Sequence, residues 1–167
     1  QLESVVGAEP RIRQITEDLI KHFDTRTKTQ PGKAMIVCMS REICVKFYEA
    51  LRKLKPDLHD DELSKGQMKV VMTASASDPK DFQPHHTNRL QKKDLEKRFK
   101  DPSDPLKIVI VRDMWLTGFD APCLTTMYVD KPMQGANLAQ AIARVNRVFG
   151  DKPGGLVVDY IGIAPQL

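Results

Sequence analysis

Long apolar runs are missing from this chain. Nothing in it approaches the eighteen or so consecutive apolar residues that a bilayer-crossing helix needs, and the first residues carry no basic-then-apolar leader pattern. No membrane partner is expected. Cysteine is scarce too: Cys38, Cys44 and Cys123 form no CxxC pair, and an odd count without a disulfide framework points to a reducing, cytoplasmic setting. Aromatic residues make up only 6% of the 167, with Trp115 the single tryptophan, but 41% hydrophobic and 29% charged residues are ordinary for a globular domain and exclude disorder as the default. No internal repeat or low-complexity tract appears.

The signatures of self-contained catalysis are absent as well. There is no GxxxxGK[ST] phosphate loop; "QPGKAM" at 30–35 precedes a strand pattern and lacks both the first glycine and the hydroxyl residue. "HDDELS" at 59–64 has no apolar strand leading into it, which favours a solvated turn over a magnesium-holding acid pair. His85 and His86 are adjacent, with no Cys or carboxylate at ligand spacing, so no metal site is expected. Ser40, Ser75 and Ser77 lie in no GxSxG elbow, and Cys123 follows a proline with no helix start to activate it. The chain alone is expected not to hydrolyse ATP appreciably.

What is present is an alternation. "AMIVCM" (34–39), "MKVVMT" (68–73), "LKIVIV" (106–111), "TTMYVD" (125–130) and "GGLVVDY" (154–160) read as strands, several of them apolar throughout, as strands buried on both faces are. Between them fall helical patterns. Ile12, Ile15, Leu19 and Phe23 follow Pro10; Ile43, Phe47, Leu51 and Leu54 follow the N-cap candidate Ser40; a charged helix runs from about Asn88 to Phe99; a last one begins near Leu138. The segment after Met72, "ASASDPKDFQPHHT", has no periodicity and reads as a long loop. Strands alternating with helices predict an α/β fold with a mostly parallel sheet covered on both sides. The length suits one domain, with 31–167 as its body and 1–30 as a helix or linker; the start at Gln1 suggests a piece of a longer polypeptide.

In such sheets the working residues sit in loops at the carboxyl ends of the strands. "TGFDAP" (117–122) offers Gly118 for a tight turn and Asp120 as an acceptor for a ribose hydroxyl, although a structural cap is an open alternative for Asp120. Gln140, Arg144 and Arg147 then fall four and three residues apart on one helix side, and arginine suits phosphate because its planar fork donates twice. A solvated stripe is the bland alternative. The formal charge of +4 permits a polyanion partner without demanding one, and the basic run "RLQKKDLEKRFK" (89–100), with acids interleaved, reads more readily as a solvated face than as a phosphate-tracking surface.

The segments "IVIVRDMWLTGFDAPCLTTMYVDKP" and "NLAQAIARVNRVFGDKPGGLVVDY" closely resemble the second RecA-like motor domain of superfamily 2 helicases and translocases, most nearly that of the R subunit of type I restriction-modification enzymes. "MWLTGFDAP" matches the family's motif V; "QAIARVNR" matches motif VI, with Ala143 where glycine is commoner; "AMIVCMSREICVKFYEAL" is similar to motif IV. The resemblance implies a three-layer RecA-like fold without its own P-loop, paired with a preceding RecA-like domain of the same polypeptide that holds most of the ATP and its Mg. It implies Arg147 and Arg144 at the γ-phosphate, Arg147 as arginine finger, with Gln140, Asp120 and Gly118 on the nucleotide. Ser40, Arg41, Thr73, Ser75 and Thr117 become candidates for the backbone of double-stranded DNA, although Arg41 reads equally well as solvated. Partners implied are the modification and specificity subunits of a restriction complex. The alternatives are a repair or remodelling helicase domain, or a non-catalytic α/β binding domain.

Overall fold

The computed structural model describes residues 2–117, 119–145 and 154–161. Five strands form one sheet: β1 (Lys33–Cys38), β2 (Met68–Val71), β3 (Ile108–Val111), β4 (Leu124–Asp130) and β5 (Leu156–Asp159), in the spatial order β2-β3-β1-β4-β5. All pairings are parallel, with Ala34 opposite Ile108, Met35 opposite Met127 and Thr126 opposite Leu156. Each of the five strand expectations is met. The helices are α1 (Leu2–Val6), α2 (Glu9–Thr29), α3 (Arg41–Leu54), α4 (Arg89–Lys100) and α5 (Gly135–Val145).

Period-two alternation divides the strand side chains between two cores. Ala34, Ile36, Met68, Val70, Ile108, Ile110 and Tyr128 face the layer built by Ile12, Leu19 and Phe23 of α2 and Ile43, Phe47 and Leu51 of α3. Met35, Val37, Val109, Val111, Met127 and Val129 face the opposite layer, where Leu95 and Phe99 of α4 and Ala141 and Val145 of α5 cover them. The fold is therefore a RecA-like α/β/α sandwich.

Residues 2–29 belong to the first of these layers. Arg11 of α2 reaches across the carboxyl end of the sheet and donates to Asp130 at 2.9 and 2.6 Å and to the Val6 carbonyl at 3.0 Å. Both partners are buried, Asp130 with 1% of its surface exposed. Further along α2, His22 Nδ1 lies 2.7 Å from the Tyr128 hydroxyl, and Asp18 accepts from the Tyr160 hydroxyl at 2.6 Å. Between α2 and β1 the chain passes close against β4 at Gly32, where a Cβ would collide with the Thr125 side chain.

Two expectations differ from what is found. The segment 74–87 is not irregular throughout, for residues Lys80–His85 form a 3₁₀ helix that buries Phe82 and His85. The basic face of α4 is not wholly solvated either. Arg98 turns inward, donating to the carbonyls of Leu63, Lys65 and Gly66 and to Asp104, so a guanidinium gathers the 63–66 turn into register. On the same end of α4, Lys33 caps the helix by donating to the carbonyls of Arg98 and Asp101 at 2.9 and 2.6 Å.

Candidate functional site

The four loops at the carboxyl ends of β1 to β4 open at one end of the sheet. The turn after β1 is set by Ser40, whose side chain accepts from the Ile43 N–H at 3.1 Å and starts α3. The next residue, Arg41, points across to the segment after β2. It donates through both terminal nitrogens to Asp78 at 2.7 and 2.8 Å and to the Thr73 carbonyl at 3.1 Å, while its guanidinium lies 5.3 Å from the centre of the Phe82 ring.

Asp78 is the hub of this corner. Besides the guanidinium, it accepts from the Ser75 N–H at 2.8 Å, and His86 Nε2 lies 2.8 Å from the same oxygen. The Arg41 bonds above all, then those from Ser75 and His86, hold its carboxyl well below the usual carboxylate range, against the effect of burial. Ser75 and Ser77 have their hydroxyls 3.1 Å apart, and residues 73–77 are all exposed. Ser40, Arg41, Thr73 and Ser75 are thus brought into one corner. Asp78, His86 and Phe82 complete it; in the sequence His86 was weighed only as a metal ligand, and Asp78 and Phe82 did not stand out, although Asp-Pro after a Ser/Ala run is a turn signal that could have marked Asp78.

The loop after β3 is built differently. Trp115 has φ = 68°, a left-handed conformation uncommon for a bulky residue. That turn lays the indole flat on Phe119, with ring centroids 4.6 Å apart and planes within 2°, and Phe99 packs against both. Arg144 of α5 clamps the outside of the loop, donating from Nε to the Leu116 carbonyl at 3.3 Å and from a terminal nitrogen to the Phe119 carbonyl. Thr117, between those two carbonyls, is exposed, as are Asp120 and Gln140. Gly118 and Arg147 lie outside the described residues. Lys131, after β4, joins this loop to its neighbour by donating to the Arg112 carbonyl at 3.1 Å and to Asp113 at 2.5 Å.

Among the described residues no group of three His, Cys, Asp or Glu side chains is placed to hold a metal ion, and no helix is long and apolar enough to cross a membrane. Cys38, Cys44 and Cys123 are buried and free, and burial pushes the Cys38 and Cys123 thiols up, away from the thiolate a nucleophile needs. What the end of the sheet offers is a set of exposed small and polar loop residues, an exposed carboxylate and an exposed amide. Two arginines hold those loops in shape.

Residues 80–162 match the family model described as type I restriction enzyme subunit R domain 3. The chain is 53% identical, over 99% of its length, to the type I restriction enzyme HindI endonuclease subunit of Haemophilus influenzae, and 49% identical over all of its length to the putative MjaIXP endonuclease subunit of Methanocaldococcus jannaschii. It spans only 16% and 15% of those two relatives. A fragment of a putative HsdR subunit of a type I restriction enzyme from Vibrio vulnificus has the same fold, with a TM-score of 0.65 at 20% identity over 95% of this chain and 29% of the other. Over its whole length the chain is therefore similar to one part of the R subunits of type I restriction enzymes, and it has the fold of the HsdR fragment.

Proposed function

We propose that the chain is the second motor domain of a type I restriction R subunit, moving double-stranded DNA at the expense of ATP. The observation that carries this is the 53% identity to the HindI endonuclease subunit across 99% of the chain; Ser40, Thr73, Ser75, Thr117 and Asp120 lie in the loops at the carboxyl ends of β1 to β3, with Arg41 at the start of α3 and Gln140 and Arg144 on α5. ATP and Mg would sit in the cleft against a preceding RecA-like domain of the same polypeptide, which contributes the phosphate loop. The exposure of Asp120 and Gln140 suits that placement: Asp120 accepts from the ribose, Gln140 contacts the phosphates, and Gly118 lets the loop come close. Arg147 and Arg144 face the γ-phosphate. Arg147 stabilises the charge that develops as the terminal phosphoryl group is transferred, and Arg144, fixed on the 116–119 loop, keeps that loop and the helix in one register. Ser40, Arg41, Thr73, Ser75 and Thr117 take the DNA backbone. The subunit works in the cytoplasm with modification and specificity subunits.

The test is Arg147→Ala in the full-length subunit, read as DNA-stimulated ATP hydrolysis. A fall of about a hundredfold or more is expected from loss of a transition-state arginine, with circular dichroism of the same change in this chain showing the fold intact. Near-normal turnover would return Arg147 to a solvated stripe and remove the motor assignment.

A further inference from the structure

We propose that Asp78 is the positioning residue of a DNA-backbone contact formed by the 73–77 loop and Arg41, a role that rests on the proposed DNA contact of that loop. Four donors converge on this one carboxylate: two nitrogens of the Arg41 guanidinium, the Ser75 N–H and His86 Nε2, all between 2.7 and 2.8 Å. They come from three separate places: the start of α3, the loop after β2, and the residue beyond the 3₁₀ helix. Asp78 itself has 3% of its side chain exposed, whereas a quarter of Arg41 still reaches solvent.

That asymmetry fixes the division of labour. The carboxylate is too enclosed to meet a ligand, and a polyanion would avoid it. Arg41 is immobilised by Asp78, by the Thr73 carbonyl and by the Phe82 ring, so its remaining edge meets a phosphate with little further loss of side-chain freedom. Around it the loop carries nothing larger than serine or threonine over residues 73–77, all exposed, which lets a sugar-phosphate backbone come within hydrogen-bonding reach of the Ser75 and Ser77 hydroxyls. Ser77 N–H donates to Ser75 Oγ at 3.4 Å, so the two serines share the geometry that Asp78 imposes on Ser75. Asp78 contributes no attraction; it contributes shape.

The prediction runs against bulk charge. Asp78→Asn makes the domain one unit more positive, which by itself tightens DNA binding. Positioning predicts the opposite. The full-length subunit carrying Asp78→Asn is expected to bind a fluorescently labelled linear duplex about tenfold more weakly by anisotropy, the scale of one charge-assisted hydrogen bond. Its ATP turnover at saturating duplex stays within about twofold. Arg41→Lys, which keeps the charge and loses the fork, is expected to weaken binding alike, and carries the test if Asp78→Asn does not fold. Ser75→Ala combined with Ser77→Ala tests the loop itself. If the double alanine weakens binding while Asp78→Asn and Arg41→Lys leave it unchanged or tighter, the positioning role is overturned and the DNA contact stands. If none of the three weakens binding, the loop is not the DNA contact and both fall.

Discussion

His85 shows how much of this domain's behaviour is decided by single buried side chains. Its ring lies edge-on to Tyr48 with centroids 4.6 Å apart, and it is only 8% exposed. Burial, with the neighbouring His59 and Lys69 adding to it, pushes its imidazole down to about 4. The unfolded chain takes up that proton near pH 6.5, so between about 6.5 and 4 the unfolded state binds a proton that the folded state refuses. Stability is therefore level above that interval and falls as the pH drops through it, by about 3 kcal/mol at the full shift. Urea unfolding at pH 7 and pH 4.5 is expected to show a larger acid loss for the wild-type chain than for His85→Gln. Equal losses would place the proton elsewhere. Asp130 is a second such residue. Asp130→Ala leaves the Arg11 guanidinium buried opposite no carboxylate, and a cost of about 3–5 kcal/mol in equilibrium unfolding is expected.

At the scale of elements, α3 is the best-defined case. Its start is fixed by one hydroxyl: Ser40→Ala removes the acceptor for the Ile43 N–H and is expected to cost about 1 kcal/mol by urea unfolding, while Ser40→Asp keeps the cap. This boundary was legible in the sequence because a cap and a period of three to four leave residue-type marks. The same holds for β1 to β4, whose apolar runs follow directly from burial on both faces, while β5 is apolar yet only half-buried at the sheet edge. The site was legible more unevenly. Arg144 stood out by its register with Gln140, yet its hold on the Leu116 and Phe119 carbonyls did not, since a backbone acceptor leaves no mark on residue identity. Phe82 was hidden by its polar surroundings, which read as loop until the ring is seen packed under Arg41. Arg98 was misread for a related reason. A guanidinium satisfied by carbonyls looks, in sequence, like one satisfied by water.

For the whole molecule, the first layer decides whether the domain stands at all. Ile12, Ile15, Leu19, Ile20 and Phe23 of α2 are buried, and at roughly 1.5–3 kcal/mol per large apolar side chain they rival the 5–15 kcal/mol that keeps a typical domain folded. A chain lacking residues 1–30 is expected to lose its cooperative thermal transition and to bind a hydrophobic dye. A sharp transition in the shortened chain would show instead that the sheet is sealed without α2.

The strand order has a consequence for how the chain is made. β1 is the middle strand, yet both of its neighbours, β3 and β4, come later, and β3 begins only at Ile108. At the usual pace of synthesis, about 5–20 residues per second, Ala34 to Cys38 wait several seconds with no strand on either side. The last bonds to the first layer wait longer, because Arg11 needs Asp130 and Asp18 needs Tyr160. Long-range pairing of this kind is slow to nucleate. A growing chain of this domain must hold its buried central strand unpaired until most of its sequence has left the ribosome, which makes the half-made chain, rather than the finished one, the form most exposed to aggregation and proteolysis.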